Sequence, residues 1–145
     1  MNYKLTLQYD GTDFQGWQIQ DRQRTVQGEL TRVLGLLEGR GVSVHGSGRT
    51  DAGVHAEGQV ANMQLQRAFT PERLRAALNG NLARDVRVLQ VEIAPDDFHA
   101  RFSASGKRYM YVVATTRFRP PFGAHLAHWY HRHSTLDECA KRRRS

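Results

Sequence analysis

At 145 residues the chain is long enough for one domain with a buried core, and its 39% hydrophobic and 24% charged residues are typical of a soluble globular protein. No apolar stretch approaches the roughly 20 residues of a membrane span, and the N-terminus shows no signal-peptide pattern. The single cysteine, Cys139, excludes an internal disulfide framework. We therefore expect a protein of a reducing compartment, the cytoplasm.

The net charge of +7 is concentrated near the C-terminus. Residues 1–116 carry 14 Lys and Arg against 12 Asp and Glu, whereas residues 117–145 carry 7 against 2. Much of this excess lies in the tail from Lys141 to Arg144. A basic tail binds nucleic acid electrostatically, but a solvated, disordered end has the same composition. Charge alone therefore leaves both interpretations open.

Alternating and helical hydrophobic patterns predict five strands and two helices. The strands are predicted at residues 3–9, 42–45, 59–65, 86–93 and 106–115. The first helix is predicted to begin after Thr25, a plausible N-cap, and to stop at Gly39. The second helix has Thr70 as its cap and Pro71 at its first position.

The order of these elements, β-α-β-β-α-β plus one strand, predicts an α+β fold. Its class is a ferredoxin-like split βαβ domain with a mainly antiparallel sheet and helices on one face. In the fourth strand the alternation of apolar and polar residues shifts by one position between Val88 and Leu89. This shift predicts either a bulge or burial on both faces of the strand. We assign residues 1–116 to this domain. Residues 117–145 are interpreted as a connector and basic tail that begin a missing second domain, because the apolar pattern decays after residue 119.

Residues 48–56 place one carboxylate, that of Asp51, in a loop of small residues. With an unperturbed pKa of about 3.9, an aspartate is ionised at neutral pH and can attack an electrophile without an activating base. Arg49 projects to the same side of an extended chain and can pair with this carboxylate. A surface turn with such an ion pair is the alternative interpretation. A phosphate loop is not favoured, because the Lys-Ser/Thr that closes a P-loop is missing.

Three residues late in the domain are further candidates for substrate binding. Lys107 and Tyr109 share one face of the predicted fifth strand, where a tyrosine either packs in the core or points toward a substrate. Arg101 follows a pair of aspartates that fit a capped turn better than an acid–base pair. It can serve either RNA binding or the core.

Four histidines follow at short spacing: His125, His128, His131 and His133. As metal ligands they would need a defined tetrahedral geometry, and no Cys or carboxylate lies at a supporting spacing nearby. We expect exposed or packed histidines here and no metal.

Four motifs resemble those of the TruA-type tRNA pseudouridine synthases, in family order and at family spacing. They are residues 9–18, 48–56, 97–104 and 107–111. A single Arg-Thr-Asp sequence would be weak evidence for this family, whereas the combination of four motifs is specific for it. Family members are about twice as long as this chain, and their second half completes the sheet and the active site.

The resemblance implies that uridine is converted to pseudouridine in the anticodon stem-loop of tRNA, with no metal, redox cofactor or ATP. Asp51 matches the nucleophile of the family, and Arg49 matches the arginine that pairs with it and helps to extrude the target base. Tyr109 matches the tyrosine that packs on the uracil and is linked to proton removal. Further substrate contacts are expected from Gln20, Lys107 and Arg101.

The resemblance also implies a homodimer for full-length members of the family. Two other interpretations stay open: a truncated, inactive fragment of such an enzyme, and a non-catalytic RNA-binding module on a ferredoxin-like sheet. The second lacks the aromatic signature of an RRM domain and leaves the Arg49 and Asp51 pattern unexplained. Attack by the aspartate at the sugar C1′ or on the uracil ring is equally open.

Overall fold

A computed structural model describes residues 1–130, which contain six strands and two helices. The strands are β1 (Asn2–Tyr9), β2 (Val44–Gly46), β3 (Ala56–Gln64), β4 (Val86–Ala94), β5 (Val113–Ala114) and β6 (His128–Trp129). The helices are α1 (Val26–Glu38) and α2 (Pro71–Asn81). The chain forms two compact units, Met1–Gly106 and one that begins at Lys107. The assignment of residues 1–116 as a catalytic domain remains a prediction.

The first unit contains a four-stranded sheet in the order β2-β3-β1-β4, in which all three neighbouring pairs are antiparallel. One helix follows β1 and the other follows β3, so the topology is that of a split βαβ unit. The predicted α+β class with a mainly antiparallel sheet is therefore confirmed.

One face of this sheet and both helices share a single hydrophobic core. Tyr3, Leu5 and Leu7 alternate along β1 and are fully buried against it, as the period of two predicts. The helices contribute to the same core with Val26, Leu30, Val33, Leu34, Leu74 and Leu78.

The ends of α1 agree with their sequence signals. The Thr25 hydroxyl accepts a hydrogen bond from the Gly28 N–H at 3.1 Å, which satisfies one of the free donors at the helix start. Gly39 ends the helix with a left-handed φ of +73°.

A β-bulge lies in β4, where the sequence predicts an irregularity. Thr6 pairs with Gln90 and Leu7 with Val88, so Leu89 is the extra residue on the bulged strand. The Leu89 side chain is 44% exposed. The shift in the apolar pattern therefore marks a bulge, because Val88 before it and Val91 after it are both buried.

The predicted fifth strand at residues 106–115 is wrong over most of its length. Strand geometry is confined to β5, which pairs in parallel with β6, and residues 107–112 are exposed. Alternation is not sufficient for a strand, because each backbone N–H and C=O needs a hydrogen-bonding neighbour. Within residues 1–130 only the segment around β6 supplies one. Lys107 and Tyr109 thus lie outside any strand.

Helix α1 ends on a buried carboxylate, that of Glu38, whose side chain is 1% exposed. It accepts hydrogen bonds from the amides of Gln66 and Arg67, each at 3.0 Å, and lies 3.5 Å from Arg40 Nε. Burial by itself would raise the pKa of the Glu38 carboxyl, but these hydrogen bonds outweigh it and the pKa is lowered. The carboxylate therefore ties the end of α1 to the chain that follows β3.

Glu38→Ala should lower the free energy of unfolding by about 1–3 kcal/mol at neutral pH, because two part-buried amides lose their acceptor. The exposed Glu57 provides the matched control, with an expected change below about 0.5 kcal/mol on replacement by Ala. The pKa of Glu38 in the folded protein lies below its unfolded value of about 4.3. The contribution of Glu38 to the free energy of unfolding is therefore complete above about pH 4.3 and is lost as the pH falls through the folded pKa. Urea denaturation from neutral to acidic pH measures this. A gap between parent and variant that stays constant on acidification would contradict the assignment.

Candidate active site

The segment that carries Asp51, called here the Asp51 loop, comprises residues 47–55 and connects β2 to β3. The side chains of Arg49 and Asp51 are exposed, whereas Thr50 between them is partly buried. The Asp51 carbonyl accepts a hydrogen bond from the Val54 N–H at 3.1 Å, and Gly53 has a φ of +78°. The carboxylate is therefore presented to solvent at a turn.

A second segment, residues 10–18, lies against the Asp51 loop and is called here the bracing loop. The Trp17 N–H donates to the Thr50 carbonyl at 2.9 Å, and the Gly53 N–H donates to the Phe14 carbonyl at 3.2 Å. Trp17 and Phe14 are each 1% exposed, so both anchors belong to the core. The structure thus brings together two of the motifs found in the sequence, residues 9–18 and 48–56.

Glycines allow this close approach of backbone to backbone. Gly16 has a φ of +88°, and a Cβ at this position would lie 2.6 Å from the Thr50 carbonyl oxygen. A Cβ on Gly11 would overlap the Val54 carbonyl. Both positions therefore leave no room for a side chain. At Gly16 the positive φ also favours glycine.

Two polar side chains, those of Tyr9 and Gln59, hold the start of the Asp51 loop from inside the fold. The Tyr9 hydroxyl and Thr50 Oγ1 are hydrogen-bonded at 2.8 Å. Gln59 Nε2 donates to the Gly48 carbonyl at 2.7 Å, while its Oε1 accepts from the Ser47 hydroxyl at 2.8 Å. Burial raises the pKa of Tyr9, although hydrogen bonds with Thr50 and Gln59 act in the opposite direction.

The sequence analysis includes Tyr9 and Thr50 in the motifs at residues 9–18 and 48–56 but gives neither a role in the site, and it does not name Gln59. A buried tyrosine hydroxyl needs a hydrogen-bonding partner, and this requirement is the signal that pointed beyond the core.

The charges around Asp51 are arranged differently from the predicted ion pair. Among the ion pairs of residues 1–130 none joins Arg49 to Asp51, and their pairing stays a prediction. At the far end of the loop, His55 Nδ1 accepts from the Gly11 N–H at 3.0 Å and lies 3.1 Å from Asp10 Oδ1. The hydrogen bond from the Gly11 N–H to His55 joins the Asp51 loop to the bracing loop a third time.

Arg101 lies in a turn that two buried amides attach to the sheet. Asn62 Oδ1 accepts from the Ala100 N–H at 2.8 Å, and Asn2 Nδ2 donates to the Phe98 carbonyl at 2.9 Å. The Arg101 side chain is exposed. The motif at residues 97–104 thus has a rigid attachment, with its cation turned to solvent.

The other predicted substrate-binding residues are exposed as well. Gln20 follows the bracing loop, and its Nε2 donates to the Gln15 carbonyl at 3.1 Å. Lys107 and Tyr109 belong to the second unit, where the Tyr109 side chain is 70% exposed. Their part in the site stays a prediction.

In residues 1–130 no group of three or more His, Cys, Asp or Glu side chains is arranged to hold a metal ion. His131, His133 and the tail from Lys141 to Arg144 lie outside the described residues. Among the helices of residues 1–130, none has the length and apolar character to cross a membrane.

The sequence model of a family described as tRNA pseudouridine synthase matches residues 6–103. This range contains both the Asp51 loop and the bracing loop. The chain therefore belongs to the tRNA pseudouridine synthase family, and the resemblance seen in its motifs is confirmed.

Several relatives of this chain carry the name tRNA pseudouridine synthase A. The protein of Brachyspira hyodysenteriae is 46% identical over 138 residues, which are 94% of this chain and 55% of the relative. That of Bradyrhizobium diazoefficiens is 49% identical over 116 residues, 79% of this chain and 47% of the relative. That of Lacticaseibacillus casei is 48% identical over 122 residues, 83% of this chain and 49% of the relative. The chain spans about half the length of the curated relatives it matches.

Proposed function

We propose that this chain isomerises uridine to pseudouridine in tRNA, with Asp51 as the nucleophile. The observation that carries the proposal is an exposed carboxylate on a loop that hydrogen bonds to Tyr9, Phe14 and Trp17 hold in place. Preorganised loops of this kind position a reactive group without further ordering when the substrate binds.

The reaction needs an ionised nucleophile and no external reactant. The Asp51 carboxylate adds to the target nucleoside, and the bond between uracil N1 and the sugar C1′ breaks. The base turns over, a bond forms between uracil C5 and C1′, and the bond to Asp51 breaks, which returns the free carboxylate. The C5 proton leaves and N1 gains a proton. Atoms and electrons balance within the nucleoside, so no cofactor enters the proposal.

Arg49 is proposed to act beside Asp51 during base extrusion. Turning a base out of its stack costs a few kcal/mol, and a planar guanidinium can occupy the vacated place. The exposed Arg49 side chain, two residues from Asp51, is available for this. Tyr109 is proposed to pack on the extruded uracil and to assist loss of the C5 proton.

The target is proposed to be the anticodon stem-loop, and the compartment the cytoplasm. Gln20, Lys107 and Arg101 are proposed to contact the RNA, for which their exposed positions leave them accessible. The homodimer is proposed for full-length proteins of the family.

The test is release of tritium from a tRNA labelled at uracil C5. Incubation with the chain should release tritium until a plateau is reached, because the C5 hydrogen is lost in the isomerisation. The plateau should correspond to a fixed number of uridines per tRNA. Release at the background rate would overturn the proposal for this chain. If the chain still bound labelled tRNA in a separate filter-binding measurement, a truncated, inactive fragment of such an enzyme or a non-catalytic RNA-binding module would replace it.

A further inference from the structure

The Tyr9 hydroxyl is a buried polar group that the proposed chemistry does not use. Tyr9 is 3% exposed, and its ring centroid lies 6.5 Å from that of Phe14 and 6.4 Å from that of Trp17. A phenylalanine ring would fill this apolar site equally well. The hydroxyl must therefore be stabilised by what it binds, because a buried hydroxyl without a partner is costly.

The hydroxyl has hydrogen bonds with Thr50 and Gln59, and of these two residues Thr50 belongs to the Asp51 loop and is fixed from two directions. Thr50 Oγ1 is hydrogen-bonded to the Tyr9 hydroxyl at 2.8 Å, and the Thr50 carbonyl accepts from the Trp17 N–H at 2.9 Å. One contact comes from the end of β1 and the other from the bracing loop, so the residue can neither turn nor shift without breaking one of them.

Thr50 stands between the two residues to which the proposed function assigns the chemistry. Its side chain turns inward, while those of Arg49 and Asp51 turn outward to solvent. Rotation of Thr50 out of its place would reorient both neighbours, because successive side chains share one backbone. The direction of the Asp51 carboxylate thus depends on how firmly Thr50 is held.

We propose that Tyr9 is a positioning residue for Asp51, which it holds in place through the hydrogen bond between its hydroxyl and Thr50. This inference rests on the proposed function, in which Asp51 is the nucleophile and the position of its carboxylate therefore matters. Burial raises the pKa of Tyr9, so the hydroxyl keeps its proton at neutral pH and can donate it to Thr50.

The matched comparison is Tyr9→Phe against Tyr3→Phe. Tyr3 lies on the same face of β1, is fully buried, and its hydroxyl donates to the Phe69 carbonyl at 2.9 Å. Both variants lose one buried hydroxyl and keep the ring, but only Tyr9 is bonded to the Asp51 loop. Amide hydrogen exchange, followed by mass spectrometry on peptides covering residues 48–54, should accelerate about 10-fold or more in Tyr9→Phe and stay unchanged in Tyr3→Phe.

Kinetics supply the readout that a purely structural role would not alter. With labelled tRNA, Tyr9→Phe should lower kcat by about 10- to 100-fold and leave KM within about twofold. Thr50→Val should match it, the double variant should be no worse than either single variant, and Thr50→Ser should retain most of the activity. These relations follow if both hydroxyls act through one shared bond.

Two results would overturn the inference: equal loop exchange in the Tyr9 and Tyr3 variants, or additive losses in the double variant. The exchange comparison needs no catalysis. If the parent chain released no tritium, the proposed function would fail for it, and loop exchange alone would decide whether Tyr9 holds the Asp51 loop.

Discussion

Replacement of Asp51 by Asn is expected to reduce tritium release from labelled tRNA by at least about 10³-fold. The amide keeps the size of the side chain but is no nucleophile, so the first bond to the nucleoside cannot form. The fold should be unaffected, because the Asp51 side chain is exposed and substitutions at such sites change the free energy of unfolding by less than about 0.5 kcal/mol. Single-turnover kinetics and urea denaturation measure the two quantities.

The same chemical change at Asp21 provides the control. The Asp21 side chain is 97% exposed and lies outside both loops of the site, so Asp21→Asn should retain the parent rate. Binding of tRNA to Asp51→Asn should also persist. An Asp51→Asn variant with more than about a tenth of the parent rate would remove Asp51 from the role of nucleophile.

The second large effect is expected from Gly16→Ala. A methyl group there would lie 2.6 Å from the Thr50 carbonyl oxygen, and the backbone has a φ of +88°. The left-handed conformation costs about 1–2 kcal/mol for alanine, and the clash adds to it by moving the bracing loop away from Thr50. We expect a loss of about 2–4 kcal/mol in the free energy of unfolding together with at least a 10-fold lower rate of tritium release.

Gly39→Ala is a control that separates the steric clash at Gly16 from the free-energy cost of placing alanine at a positive φ. Gly39 has a similar φ of +73°, nothing lies within 4 Å of its added Cβ, and it ends α1. This variant should lose only about 1–2 kcal/mol and keep its full rate. Equal losses of stability and activity in the two variants would show that contact between the loops is irrelevant to the site.

Features encoded within a few residues were predicted well. The caps of α1 at Thr25 and Gly39 and the slip next to Leu89 are local signals, and the structure contains each of them. The fifth strand failed because a strand depends on a neighbour, which no local pattern specifies. The strand-like composition of residues 107–112 was therefore misleading.

The candidate site divides in the same way. Asp51 and Arg49 were predicted from a compact motif, and the structure places them together in an exposed loop. One of the bonds that anchor this loop joins Tyr9 to Thr50 across 41 positions of sequence. Contacts of that range depend on how the whole sheet assembles, so periodicity and spacing did not reveal them.

The strand order has a consequence for synthesis on the ribosome. β1 leaves the ribosome before β3 and β4 but lies between them in the sheet. Its partners extend to Gln64 on one side and to Ala94 on the other. The nascent chain must therefore hold an apolar strand without its neighbours until both partners have emerged. Pairing over such separations is slow, so this interval is when we expect chaperones to engage the chain.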